Sequence, residues 1–269
     1  MKKLICYLLF TYCFAHSLQA QTSAPWNGKR CAVVLTYDDA LNVHLNNAVP
    51  TLDSFGLKAT FYLSDYFGGL NAQIPKWKKA AANGHELANH TTLHPCTGGI
   101  PGRDWVNPEY DLSKYSFRRI NDDIQAMNNI LKAIDGQDTR TFAFPCSDTK
   151  IRDTPYFDGV KDKFIAARAV RSEMLSINNT DLFNVSSYMI NGETGEQLIT
   201  LVKEAMAQNK LVVFLFHGVG GEHGLNVSLP AHRQLLQFLK QNQKQIWIAP
   251  MRDVAMYIKD QQGKTAQTK

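Results

Sequence analysis

The chain has 269 residues, 44% of them hydrophobic, and a formal net charge of +5, to which Lys2 and Lys3 contribute two. Its basic residues form no dense stripe, which excludes nucleic acid as an expected partner. With no low-complexity tract and no repeat of fixed period, the composition is that of one large globular domain or two small ones.

The N-terminus has the three parts of a secretory signal peptide. A short basic start, "MKK", precedes an apolar run, and the small residue Ala20 precedes a polar stretch. We therefore expect a signal peptide over residues 1–20, a mature chain over 21–269, and a secreted or periplasmic location. The apolar run is too short for a good membrane span, and no other stretch is long and apolar enough for one.

Apolar, β-rich runs alternate with helical patterns along the rest of the chain. The predicted strands cover residues 31–37, 58–64, 85–89, 140–145, 163–170, 183–190, 210–218 and 245–250. The predicted helices cover residues 45–56, 75–84, 118–136, 195–209, 232–242 and 252–260. This alternation, with strands apolar along their whole length, predicts an α/β fold with a parallel sheet covered by helices. Seven to eight such units favour a barrel of the TIM kind over an open sheet.

Polar side chains follow several of the predicted strands directly. In such barrels, functional residues lie at the C-terminal ends of the strands, which meet on one face. The residues that follow the strands here are Asp38 and Asp39, His90 and His94, Cys146, and His217. We therefore expect two carboxylates and three imidazoles to converge at one site.

Each of these features has a second interpretation when it is taken alone. His90 and His94, four residues apart, are equally compatible with a surface loop that leaves a strand. Two adjacent aspartates are compatible with a solvated turn or a helix N-cap, although their mutual repulsion is unfavourable. Together they predict a divalent metal bound by two histidines and one aspartate, a set that leaves positions open for water and substrate. The other aspartate is then available as a base.

Three motifs carry a resemblance to a known family. "TYDD", "HTTLHP" and "LFHG" resemble, in order and spacing, the most diagnostic motifs of the polysaccharide deacetylases, also called carbohydrate esterase family four or the NodB-homology domain. The similarity runs from about Cys31 to Ile258. It implies a distorted (β/α) barrel of seven to eight strands, a single catalytic domain, and hydrolysis of an acetyl group on a sugar. It also implies one divalent metal, usually Zn²⁺, with Co²⁺ or Ni²⁺ as substitutes.

The resemblance also assigns roles to individual residues. Asp38 is the catalytic base, and His217 is the general acid. The metal ligands are Asp39, His90 and His94, and Thr91 supports the loop that bears both histidines.

The third motif of this chain departs from the family pattern. Many members carry an arginine two positions before a proline, which holds the catalytic aspartate, and an aromatic residue just after the proline. Here these positions are Ala143 and Cys146. Arg168, at the end of the neighbouring predicted strand, is a candidate replacement for the arginine, although a purely structural role fits it equally. The family's oxyanion donor is a backbone N–H, which Cys146 still provides.

Three cysteines remain once Cys6 and Cys13 have left with the signal peptide. Cys96 and Cys146 follow two strands that we expect to be neighbours, whereas Cys31 opens the first strand at the opposite end of the barrel. This placement predicts a Cys96–Cys146 disulfide and a free, buried Cys31. Two reduced thiols packed as small apolar groups remain the alternative.

The substrate stays open between two classes of acetylated polysaccharide or oligosaccharide. One class carries O-acetyl groups on xylan-like glycans, and the other carries N-acetyl groups on N-acetylglucosamine polymers. A catalytically inactive glycan-binding protein on the same barrel is the alternative function. The oligomeric state is left open. The remaining histidines of the mature chain receive no part in the site: His44, His85, His223 and His232.

Overall fold

The computed structural model describes residues 24–267. The predicted signal peptide, residues 1–20, lies outside this range. Eight strands form the main sheet: β1 (Cys31–Asp38), β2 (Thr60–Leu63), β3 (Glu86–Asn89), β4 (Thr141–Ala143), β5 (Ala166–Arg168), β6 (Tyr188–Met189), β7 (Leu211–Phe216) and β8 (Ile246–Ile248). All of the strand pairs within this sheet are parallel. The predicted fold class is thus confirmed.

The sheet is ordered β5-β4-β3-β2-β1-β7-β6, with β8 paired to β1. β1 is long enough to pair along one edge with β8 through its first residues and with β2 through its last. A single parallel bridge between Arg168 and Val185 joins the segment before β6 to β5. Since β6 itself pairs with β7, this segment connects the two ends of the sheet and makes the barrel a distorted one.

Within residues 24–267, six α-helices cover the sheet: α1 (Val49–Phe55), α2 (Ile74–Ala82), α3 (Phe117–Asp135), α4 (Gly195–Gln208), α5 (Leu229–Gln241) and α6 (Met251–Gln267). Their ends follow local chemistry. Ser116, Thr194 and Ser228 cap the N-termini of α3, α4 and α5 with side-chain oxygens, each accepting a backbone N–H. Gly56 and Gly136 end α1 and α3 in the left-handed conformation. No helix among the described residues has the length and apolar character that a membrane span requires.

β1 is buried on both faces. Val33 and Leu35 pack in the cluster that includes side chains of α1 to α5, whereas Ala32 and Val34 pack against α6. This double burial explains why the strand is apolar at successive positions rather than at alternate ones. The start of α6 closes the end of the barrel at which the strands begin.

One buried carboxylate, that of Glu86, lies at this end of the barrel. Glu86 accepts hydrogen bonds from Thr60 Oγ1 (2.8 Å), Thr141 Oγ1 (2.7 Å) and the Arg252 backbone N–H (2.9 Å). Burial raises the pKa of Glu86. Because its oxygens are satisfied by fixed donors far from the strand C-termini, the group is structural.

The structure differs from the sequence expectation mainly at connections. The predicted helix 45–56 is a π-helical turn over His44–Ala48 that runs into α1. The predicted strand 183–190 keeps only two strand residues, because its hydrogen bonds are divided between β5 and β7. Between β4 and β5 the chain forms short 3₁₀ turns and a small hairpin instead of a covering α-helix.

Candidate active site

The end of β1 presents two buried aspartates. Asp39 and Ala40 have φ values of +83° and +56°, so the chain leaves the strand in a left-handed turn. The Asp39 N–H still donates to the Tyr62 carbonyl (3.0 Å), which extends the pairing with β2. A Cβ on Gly69 would lie 1.9 Å from the Ala40 carbonyl oxygen, so only glycine fits opposite this turn. Both aspartates are buried as a result.

The two histidines after β3 lie on a tight loop, not on a helix. Thr91 has a φ of +62°, and its hydroxyl accepts the His94 N–H (2.9 Å). Asn89 accepts the Thr91 N–H through its side-chain oxygen (2.8 Å). Asp123 of α3 accepts the next two backbone N–H groups, at 2.8 and 3.2 Å. This network fixes the backbone of the loop that bears both histidines, and the Thr91 hydroxyl takes part in it.

Asp39, His90 and His94 meet at the base of a cavity. Asp39 Oδ1 lies 3.5 Å from His90 Nε2 and 3.4 Å from His94 Nε2, and one ligand atom from each of the three lies within 4.8 Å of the others. His90 Nδ1 donates to the Ala143 carbonyl (2.8 Å), which leaves the Nε2 lone pair directed toward Asp39.

The electrostatics of this cluster fit a divalent cation. Burial, and next the Asp38 carboxylate, raises the pKa of Asp39 well above its usual range. Burial lowers the pKa of His90 and of His94 to about 3. Asp39 Oδ1 is buried and has no hydrogen-bond partner among residues 24–267. A cation among two neutral imidazoles and this oxygen would satisfy the lone pairs and offset the repulsion between the aspartates.

Arg168 binds the first aspartate. Its Nη2 donates a short hydrogen bond to Asp38 Oδ2, and its Nη1 donates to Ser187 Oγ (3.3 Å). The guanidinium lies over the Tyr62 ring, 5.0 Å from the centroid. Both members of the pair are buried. Arg168 is the last residue of β5, and its register partner on β4 is Ala143.

His217 follows β7 and approaches the second carboxylate oxygen of Asp39. Its Nε2 lies 4.0 Å from Asp39 Oδ2, and its Nδ1 is buried without a hydrogen-bond partner in the described chain. Burial lowers the pKa of His217 to about 3. A second imidazole, that of His223, stacks on the His217 ring with centroids 4.7 Å apart. His223 was expected to have no part in the site, because a loop histidine seven residues beyond the end of β7 carries no spacing signal.

Cys96 and Cys146 form a disulfide, with Cα atoms 5.7 Å apart. It joins the loop after β3 to the turn after β4, where Cys146 adopts a φ of +54°. Both sulfurs lie near His94, but the disulfide leaves neither available as a thiolate ligand. Cys31 is a buried free cysteine.

The cavity above these groups measures about 520 Å³. Much of its wall is apolar and comes from several loops and from the ends of β6 and β7: Phe67, Trp105, Phe144, Val170, Met189, Leu215 and Leu225. Arg103, on the long loop after β3, donates to Asp148 Oδ2 and to the Cys146 carbonyl and so ties that loop to the turn after β4. The result is a partly apolar cleft with its acids and imidazoles at the base, as in many small-molecule and glycan sites.

Comparison with known proteins gives the following matches. Residues 27–154 match the family model described as "Polysaccharide deacetylase". The protein YlxY of Bacillus subtilis (strain 168), described as uncharacterized, is 30% identical over 104 residues. That alignment covers 39% of this chain and 27% of the length of YlxY.

Solved structures share the fold, including the following two. A Mycobacterium smegmatis protein whose name assigns it to the polysaccharide deacetylases superposes with a TM-score of 0.63 and 14% identity, covering 87% of this chain and 92% of that one. A variant of the peptidoglycan deacetylase PdaC from Bacillus subtilis superposes with a TM-score of 0.53 and 14% identity, covering 88% of this chain and 96% of that one.

Proposed function

Because the chain belongs to the polysaccharide deacetylase family, we propose that it is a metal-dependent hydrolase that removes acetyl groups from a polysaccharide or oligosaccharide. One observation carries the proposal. Asp39, His90 and His94 direct three ligand atoms to one point at the base of a cleft, and Asp38 and His217 flank it.

We propose Zn²⁺ as the metal, with Co²⁺ or Ni²⁺ as substitutes, held by Asp39, His90 and His94. When bound, such an ion polarises a carbonyl oxygen and favours deprotonation of water near neutral pH. The fixed Nδ1 hydrogen bond of His90 and the Thr91 hydroxyl keep the imidazoles oriented for it.

Asp38 acts as the general base in this proposal. Its Oδ2 accepts from Arg168, so the carboxylate is oriented, and its Oδ1 is buried with no partner among the described residues. That second oxygen is free to take the proton of a water that attacks the acetyl carbonyl.

His217 acts as the general acid, and the Cys146 backbone N–H as the oxyanion donor. His217 approaches Asp39 Oδ2, whereas the two ligand histidines approach Oδ1, and the leaving oxygen or nitrogen is proposed to lie beside His217. His217 donates the proton that the leaving group needs, which matters more for an amide than for an ester, and it takes a proton back from solvent while Asp38 releases its own. Cys146 lines the same cavity, and the disulfide and Arg103 hold its turn in place.

The proposed protein is secreted or periplasmic, with one catalytic domain over residues 21–269 after removal of residues 1–20. The cysteine pair supports an oxidising compartment, because disulfides persist there. The substrate is an acetylated glycan, either O-acetylated and xylan-like or N-acetylated and built from N-acetylglucosamine.

An inactive glycan-binding protein is the second candidate, because Ala143 stands where the family carries its arginine. The buried Arg168–Asp38 pair argues against it, since the pair restores a guanidinium to the proposed base. A binding protein would have no use for a base and an acid beside a ligand set.

Acetate release from acetylated xylan, chito-oligosaccharides and peptidoglycan, with and without a chelator, tests the proposal. We expect release from at least one substrate, loss of that release with chelator, and recovery on addition of Zn²⁺. His94→Ala should lower the zinc content of the purified protein well below that of wild type. Equal zinc occupancy in both proteins would reject the ligand set, and binding without acetate release would favour the second candidate.

A further inference from the structure

We propose that His223 is a substrate-contacting residue, whose Nε2–H donates a hydrogen bond to an oxygen of the sugar that carries the acetyl group. The inference rests on the proposed function for the reaction itself, but its contact with a glycan can be measured without turnover. His223 lines the active-site cavity and retains 28% side-chain exposure, so a ligand in the cleft can reach it.

The backbone around His223 fixes its tautomer. The Leu225 N–H donates to His223 Nδ1 at 3.0 Å. The Leu225 carbonyl lies farther from Nδ1, at 3.3 Å, and already accepts the Gly218 N–H at 3.0 Å. Because a backbone N–H can only donate, Nδ1 is the acceptor, and the proton of the neutral imidazole lies on Nε2.

His223 lines the cleft, and no acceptor among residues 24–267 lies at hydrogen-bonding distance from its Nε2–H. The nearby carboxylate oxygen, Asp39 Oδ2, is 4.0 Å away, which is too long for a hydrogen bond. The ligand histidines lie near the other oxygen, Oδ1. His223 and His217 therefore both approach Asp39 at Oδ2, and the sugar of the leaving group is proposed to lie beside this pair.

The loop that bears His223 is anchored at a distant point of the chain. Glu222, with a φ of +68°, accepts from Asn42 Nδ2 (2.7 Å) and from the Val43 N–H (2.6 Å) after β1. Gly221 donates to Asn226 Oδ1 (2.9 Å). A left-handed glutamate held by two hydrogen bonds indicates that the loop has one defined conformation, which preorganises the neighbouring imidazole for binding.

The chemistry of the donor selects the ligand atom. An imidazole N–H in a cavity with a largely apolar wall binds an acceptor such as a hydroxyl or ring oxygen, because a donor that a bound ligand encloses and leaves unpaired is unfavourable. Pyranose sugars offer such oxygens beside any acetylated position. The ring of His223 also covers one face of the His217 imidazole, so a sugar held by His223 lies next to the proposed acid.

Two substitutions at this position separate the hydrogen bond from the stacked ring. His223→Phe keeps an aromatic ring on His217 but removes the donor, whereas His223→Gln keeps an N–H near the Nε2 position. With acetylated xylotetraose or chitotetraose, we expect His223→Phe to raise KM about tenfold with kcat little changed. His223→Gln should recover part of that loss, and zinc content should equal that of wild type in both variants.

The anchor supplies an independent test. Glu222→Ala should also raise KM, by a smaller factor than His223→Phe does. The control variant Glu173→Gln changes an exposed glutamate elsewhere on the surface and should leave KM unchanged. A His223→Phe protein with wild-type KM, or one that loses zinc, would overturn the proposal while leaving the deacetylase assignment intact. If wild type hydrolyses neither oligosaccharide, titration calorimetry measures the binding of each oligosaccharide instead. Weaker binding by His223→Phe than by wild type supports the contact. Equal binding by the two proteins, or no binding by wild type, rejects it.

Discussion

The Asp38–Arg168 pair shows how one interaction is preserved when its usual residue is absent. Ala143 and Arg168 are direct neighbours on β4 and β5, so the two positions can deliver a guanidinium to nearly the same place. The pair is buried, and the charge of each partner is compensated mainly by the other. Such a pair orients the carboxylate more than it stabilises the fold, because the attraction between two buried charges is largely offset by the free-energy cost of removing both from water.

Transferring the arginine from position 168 on β5 to position 143 on β4 tests whether the guanidinium orients Asp38. Arg168→Ala leaves Asp38 buried without its partner, so we expect activity to fall about 10–100-fold, as when an outer contact of a catalytic group is lost, and stability to fall by about 3–5 kcal/mol. Adding Ala143→Arg to that variant should restore part of the activity. Acetate release and thermal unfolding measure the two effects.

A single variant with wild-type activity would show that Arg168 does not orient the base. A double variant no better than the single one would show that the space near the Tyr62 ring accepts a guanidinium only from β5.

The role of Asp38 itself is tested by Asp38→Asn. The amide is nearly isosteric and still accepts from Arg168, but it cannot take a proton from water near neutral pH. We expect the zinc content to be retained and turnover to fall by about 10²–10⁴. Near-normal turnover would remove Asp38 from the mechanism, and loss of zinc would place it among the ligands.

Among the structural elements, those with long periodic patterns were predicted best. α3 and α4 lie within one residue of their predicted limits, because serine or threonine caps begin them and a left-handed residue ends them. β6 could not be predicted in the same way, since the length of a strand depends on which partners reach it. The connection from β4 to β5 was also missed, because its 3₁₀ turns are stabilised by packing of Phe157 and Tyr156 rather than by a local pattern.

The same distinction holds within the site. Strand-end positions of Asp38, Asp39 and His217 follow from the apolar runs before them. His223 depends on the Glu222 anchor, a contact across 179 residues of sequence. No local pattern reports such a contact.

The disulfide connects two loops that border the cleft, and its loss should act on both. Cys96 and Cys146 are 50 residues apart in sequence, and closing a loop of this size stabilises the fold by about 4 kcal/mol in the chain-entropy model. We expect Cys96→Ala with Cys146→Ala to lower the free energy of unfolding in urea by up to that amount and to raise KM through the freed loop.

Cys31→Ala is the matched control, because it removes a buried thiol that belongs to no disulfide. It should change stability less and leave KM unaltered. Mapping of the secreted protein without reductant provides a direct check, since alkylation of both Cys96 and Cys146 would show that the bond is absent.

At the scale of the whole molecule, buried histidines link folding to pH. His232 of α5 lies in the core, where its Nε2 is hydrogen-bonded to the Tyr37 hydroxyl (2.7 Å) and its ring packs edge-on against Phe216. Burial, with a smaller effect from His44, lowers the pKa of His232 to about 3. An imidazole in an unfolded chain has a pKa near 6.5.

Acidification should therefore destabilise the protein through His232. As the pH falls below about 6.5, the unfolded chain binds a proton at this position and the native protein does not, so the stabilisation that is complete above pH 7 is lost progressively toward pH 3. Between pH 7 and pH 5 this site alone should lower the free energy of unfolding by about 2 kcal/mol.

His232→Gln should be less stable at pH 7 but should lose about 2 kcal/mol less than wild type on going to pH 5. Tyr37→Phe, which keeps the imidazole, should retain the wild-type pH dependence, and the other histidines cancel because all three proteins carry them. Urea unfolding at the two pH values measures the differences, and an equal loss in wild type and His232→Gln would show that His232 is already protonated in the native protein at pH 5.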